Sequence, residues 1–84
     1  MLHCSDRTDA ATDSDTAVLT RLAATIHDRR TVLGVSQREL ATRAGVDRTF
    51  LSGVESGKRN PTIAMLGKLA IGLETTVAAL TAHL

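Results

Sequence analysis

Few folds can accommodate residues 37–54, QRELATRAGVDRTFLSGV. Counting from Gln37, apolar residues stand at places 4, 8, 10, 15 and 18 (Leu40, Ala44, Val46, Leu51, Val54), a small residue at place 5 (Ala41) and glycine at place 9 (Gly45). The spacing of the early set marks one face of a short helix, and that of the late set marks one face of another. Gly45 sits between them, a residue free to take a positive φ, so the chain can reverse in about three residues. Helices joined that tightly cross steeply, and Ala41 supplies the tiny side chain needed where they touch. The two form a helix-turn-helix.

The rest of the chain extends this helical reading. An apolar period at Leu19, Leu22, Ile26 and Leu33 predicts a first helix from about Thr16, ended by Gly34. Ser36 caps the second helix with Glu39 three places on, a capping-box spacing, and Glu39 stands four residues before Arg43, a favourable pair. Asp47 caps the third helix, which ends near Ser56 and Gly57. After the polar loop GKRNP, Thr62 caps a fourth helix with Ile63, Leu66, Leu69, Ala70 and Leu73 on one face. Thr76 caps a fifth, carrying Val77, Leu80 and Leu84. The fold class expected is all-α, a five-helix domain over residues 16–84 with the helix-turn-helix at helices 2 and 3. Residues 1–15, rich in Asp, Thr, Ser and Ala without apolar period, read as a mobile acidic tail.

Charge divides along the same boundary. Residues 1–15 carry four aspartates against one arginine, whereas residues 16–84 carry nine basic and five acidic side chains. The basic excess, concentrated between Arg29 and Arg59, suits a polyanionic partner such as nucleic acid. Catalysis and metal binding find no support: His3, His27 and His83 are scattered, and no glycine-rich phosphate loop follows a strand. No cofactor is expected. No apolar run approaches the roughly 20 residues of a membrane span, and the N-terminus lacks a secretory signal's apolar core. A single cysteine, Cys4, cannot form an internal disulfide, which fits a reducing, cytoplasmic setting.

The stretches RRTVLGVSQRELA, AGV, LSGVESGKRNPT and LGKLAIGLETTVAAL resemble the lambda-repressor and Cro-like (Xre-type) family, across roughly residues 16 to 84. DRTFLSGVE, RNPT and GLETT are similar to the controller proteins of restriction–modification systems within it. That resemblance implies a lambda-repressor-like fold and a dimeric, sequence-specific transcriptional regulator on a two-fold symmetric double-stranded DNA operator, found in the cytoplasm at the nucleoid. The acidic tail departs from it, being longer than these regulators carry.

On a wheel of about 100° per residue, Leu51 and Val54 define the buried side of the third helix, and Arg48, Thr49 and Ser52 lie opposite. This polar face sits at the N-terminal end that enters a major groove in the family. Arg48 is long enough for a bidentate contact with guanine, and Thr49 or Ser52 reaches a base edge or phosphate. Two roles fit Phe50: a place at the edge of the core, or an approach to DNA like the aromatic that the resembling controllers often carry there. The resemblance makes Gln37 a phosphate contact at the start of the second helix. Lys58, Arg59 and Asn60 are candidates for phosphate or flanking bases, and Arg43 is a weaker one. Arg30 falls on the apolar stripe of the first helix, where an unpaired charge is costly; the family pairs such an arginine with a glutamate at the place of Glu55, which implies a structural salt bridge. Arg29 then points outward, towards phosphate. Gly53, costly in a helix by roughly 1 kcal/mol relative to alanine, implies a close approach, to DNA or to a neighbouring helix.

Met65, Ile71, Ala78, Ala79 and Ala82 lie off the core stripes of the last two helices and mark a homodimer interface. No small-molecule ligand is expected, which leaves concentration, through dimerisation, as the switch of an autoregulator. A different reading keeps the fold and changes the partner: an antitoxin or adaptor that holds a second protein. Residues 1–15 have too few apolar residues to serve that role well.

Overall fold

The computed structural model describes the backbone of residues 2–82 and 84 and the side chains of residues 16–82 and 84. Five helices follow in order: α1 (Leu2–Leu33), α2 (Gln37–Ala44), α3 (Arg48–Glu55), α4 (Ile63–Gly72) and α5 (Val77–Leu80). α1 starts upstream of the apolar period that predicts it, since no glycine or proline interrupts residues 2–33. The side chains of residues 1–15, Cys4 and His3 among them, and His83 lie outside the described residues, whereas the backbone of residues 2–15, expected as a mobile acidic tail, belongs to α1. α5 is a single turn, shorter than expected. Ala82 and Leu84 lie beyond it, and Leu84 is exposed rather than part of the core.

Four helices begin on the caps the sequence marks. Ser36, Asp47, Thr62 and Thr76 have extended backbones, and their side chains accept from the N–H groups of Glu39, Phe50, Met65 and Ala79. Each such cap stabilises its helix by about 1 kcal/mol. The Glu39 carboxylate does not close the box; it accepts instead from Arg43 at 3.0 Å, one turn on.

Four helices also stop in one way. After α2, Gly45 N–H donates to Thr42 O and Val46 N–H to Ala41 O, the paired bonds of a Schellman motif with its left-handed residue at Gly45 (φ 70°). The same pairs of bonds close α1 at Gly34 and α3 at Gly57. α4 makes the same ending without glycine, through Glu74 N–H to Ile71 O and Thr75 N–H to Ala70 O, with Glu74 at φ 57°. A side chain in that conformation costs about 1–2 kcal/mol. Glycine there adds about 0.5–1 kcal/mol of chain entropy to be lost on folding, and the exposed Glu74–Arg43 pair at 3.6 Å contributes little. Glu74→Gly should therefore stabilise the fold by roughly 0.5–1 kcal/mol, a rise of about 2–8 °C in a thermal melt. A melt that falls would show that the carboxylate outweighs the strained backbone.

The core draws on every helix. Leu22 and Ile26 of α1, Leu40 of α2, Leu51 and Val54 of α3, Leu66 and Leu69 of α4, and Leu80 of α5 are all buried, joined by Val35 and Leu73 from the connections. Burying such a side chain contributes about 1.5–3 kcal/mol. α2 packs on both α3 and α4, and α1 on α3 and α5. The α2–α4 approach depends on Gly72: a Cβ there would stand 2.9 Å from Leu40 Cδ1 and 3.3 Å from the Ala44 Cβ. Ile63 departs from its expected place in the core and is 75% exposed. It stands about 80° from Leu73 on the α4 wheel, at the margin of the buried stripe in the first turn.

Candidate nucleic-acid interface

The buried Leu51 and Val54 hold α3 by one side, and its other side is left to solvent. Arg48, Thr49 and Ser52 are exposed on that outer side. Arg48 makes no hydrogen bond or ion pair with any described residue, so its guanidinium is uncommitted. The Asp47 carboxylate accepts Phe50 N–H at 3.0 Å and so fixes where this face begins. Gln37, half-buried, opens α2 behind the Ser36 cap, at the positive end of that helix's dipole. Lys58, Arg59 and Asn60 are exposed in the connection after α3.

Phe50 takes the core-edge place that the sequence offers it. It is half-buried and packs on the core cluster. Its ring also lies beneath Arg59, whose guanidinium carbon is 5.7 Å from the ring centroid. Among the described atoms, a side chain at Gly53 would meet the Arg59 side chain from the following loop, not a neighbouring helix.

Behind the exposed face stands an ion pair. Arg30 donates from Nε to Glu55 Oε2 at 2.9 Å and from one Nη to Oε1 at 3.0 Å, while its other Nη donates to Val35 O at 2.9 Å. The Glu55 side chain is 4% exposed and that of Arg30 14%. His27 Nδ1 lies 3.3 Å from Glu55 Oε1 and 3.2 Å from Arg30 Nη2, a third member that the sequence reading misses. Its place one turn before Arg30 on α1 is the signal that could have found it.

One arginine differs from expectation. Arg29 does not point outward: its Nε donates to Leu73 O and its Nη2 to Glu74 O, both at 3.0 Å, satisfying carbonyls at the end of α4. Cations are favourable there because the helix end is partially negative. Arg43 is tied to Glu39 and to Glu74.

In the last two helices and just beyond them, Ile71 is 77% exposed, and Ala78, Ala79 and Ala82 are exposed as well. Met65 is a correction: it is half-buried and packs on the core, because its place on the wheel lies only about 40° from Leu69. Ile63, expected inside, joins the exposed apolar set instead.

A short helix caged by its neighbours, a three-residue turn around Gly45 and a second helix with its polar face outward form a supersecondary unit with a known counterpart. The model of the helix-turn-helix family HTH_3 matches residues 26–80. The chain belongs to this family. As a helix-turn-helix protein of the Xre type it is a DNA-binding transcriptional regulator, not an enzyme. It is 36% identical over 52 residues to the control protein C.MunI of a Mycoplasma species, a match spanning 62% of this chain and 70% of that one. Over 56 residues it is 38% identical to the control protein C.SmaI of Serratia marcescens, spanning 67% of each. Its fold is similar to that of the restriction-modification controller protein C.AhdI from Aeromonas hydrophila, with a TM-score of 0.74 and 36% identity over 76% of this chain and 97% of the other. The matched residues of this helix-turn-helix protein include both α2 and α3 and the loop that carries Lys58, Arg59 and Asn60.

Proposed function

We propose that this helix-turn-helix protein binds a two-fold symmetric operator as a homodimer and controls the genes of a restriction–modification system, its own gene among them. The observation that carries the reading is the exposed, uncommitted Arg48 beside Thr49 and Ser52 at the capped start of α3. Arg48 reads a base, Thr49 and Ser52 contact base edges or phosphate, and Gln37, Lys58, Arg59 and Asn60 hold the DNA backbone. Similarity to control proteins C.MunI and C.SmaI supports the regulated genes. The protein acts in the cytoplasm at the nucleoid, and its own concentration is the signal.

Ile71 with Ala78 and Ala79 supports the dimer, since a monomer leaves that apolar set in water. An isologous interface would bury it on both copies at once. Half-sites should then lie about one helical turn apart, roughly 34 Å between centres. Selection of bound sites from random duplexes tests the whole reading, because a dimer returns a motif with two-fold symmetry. Ile71→Glu should give a monomer by sedimentation at micromolar concentration, with the fold kept because Ile71 is outside the core. Its operator affinity should fall in parallel. An Ile71→Glu protein that sediments as the wild type does would place the interface elsewhere.

A further inference from the structure

Gly53 lies in the middle of α3, where alanine would favour the helix. The space a side chain would fill is occupied: a Cβ at Gly53 would stand 2.5 Å from Arg59 Cγ, 3.0 Å from Cδ and 3.2 Å from Nε. The backbone that follows bends to make this possible. Gly53 O accepts Lys58 N–H at 2.9 Å, Arg59 N–H at 3.2 Å and the Ser56 hydroxyl at 2.9 Å. The connection therefore folds back over α3, the Arg59 stem crosses the helix at the glycine, and the guanidinium ends over the Phe50 ring.

We propose that Gly53 is a positioning residue for DNA binding: by lacking a side chain it opens the slot that lays Arg59 across the reading helix and over Phe50. The cation and the ring then meet DNA as one preformed element. A guanidinium within about 6 Å of an aromatic centroid is attracted by the ring's quadrupole while its N–H donors stay free for phosphate or base acceptors. A long side chain already held in place also loses less freedom on binding than one that swings in a loop. The proposal rests on the DNA-binding reading above and deepens it, because it assigns Gly53 a role that acts through the Arg59 side chain.

Gly53→Ala separates this role from stability. Removing glycine from a helix favours folding, and the obstructing atoms belong to a flexible exposed side chain that can leave. The variant should melt at or above the wild-type temperature while binding its selected duplex on the order of 10-fold more weakly, the scale of one charge-assisted contact. Arg59→Ala should lose a similar factor. The double variant should lose no more than Arg59→Ala alone, since the slot has nothing left to hold. Nuclear Overhauser contacts between Arg59 side-chain protons and the Phe50 ring, measured without DNA, should be present in wild type and absent in Gly53→Ala. Unchanged affinity of Gly53→Ala, losses that multiply in the double variant, or Overhauser contacts that survive the substitution would each overturn the proposal. Wild-type protein that binds no duplex, yet shows the contacts, would overturn the DNA-binding reading itself and take the positioning role with it.

Discussion

Glu55→Ala should lower the melting temperature of this protein by about 12–24 °C. Glu55 is nearly inaccessible, and it takes two hydrogen bonds from one guanidinium. Alanine at that position leaves the Arg30 charge mostly buried, with Val35 O and His27 Nδ1 as its remaining close partners. Breaking a buried pair from one side costs about 3–5 kcal/mol. Arg30 keeps some contact with water, which places the expected loss at the lower end, about 3 kcal/mol, and each kcal/mol moves a domain of this size by about 4–8 °C. Most of that cost comes from the stranded charge, not from the lost attraction. Arg30→Met with Glu55→Leu should therefore recover most of the stability, since two apolar side chains leave nothing unpaired. Thermal melts of the three proteins separate the cases, and a Glu55→Ala melt within a degree or two of wild type would mean that solvent already reaches the pair.

Arg48→Ala should weaken binding to the selected operator by about 5- to 150-fold, the equivalent of about 1–3 kcal/mol, and relax the preference at one position in each half-site. Arg48 is exposed and has no hydrogen-bond or ion-pair partner among the described residues, so the fold should be unaffected. Lys58→Ala offers the contrast: loss of a phosphate contact should weaken specific and scrambled duplexes alike, and make the salt dependence shallower by roughly one unit of slope. Titrations on both duplexes at several salt concentrations resolve the two behaviours. An Arg48→Ala protein weakened equally on both would transfer base reading to another side chain.

The sequence announces local features of this molecule better than distant ones. Caps at Ser36, Asp47, Thr62 and Thr76 are short-range chemistry between a side chain and a backbone group three residues on, and each falls where expected. The buried stripes through Leu40, Leu51 and Leu69 follow from helical period alone. Arg29 shows the limit: its partners at Leu73 and Glu74 are more than 40 residues away, and no periodicity locates the end of another helix. Ile63 fails for a related reason. Period places it near the core face, yet burial also depends on how far along its axis a helix stays in contact. Gly53 is legible as an anomaly, a weak helix former inside a helix, but what fills the space comes from the loop beyond. Glu74 leaves no mark at all, since nothing about glutamate foretells a positive φ.

Arg29 and Arg30 are neighbours on α1 that grip different halves of the molecule. Arg30 holds α3 through Glu55, and Arg29 holds the junction of α4 and α5 through two carbonyls. α1 is thereby a strut between the surface proposed to read bases and the surface proposed to join two copies. In a dimer built on such struts, the distance between reading helices is set by covalent and hydrogen-bonded geometry inside each protomer. The complex then works as a ruler. One extra base pair between half-sites would displace one of them by about 3.4 Å and rotate it by roughly 35°, and a stiff ruler has no way to follow. Operators would thus be distinguished by the length of the DNA that the protein never touches.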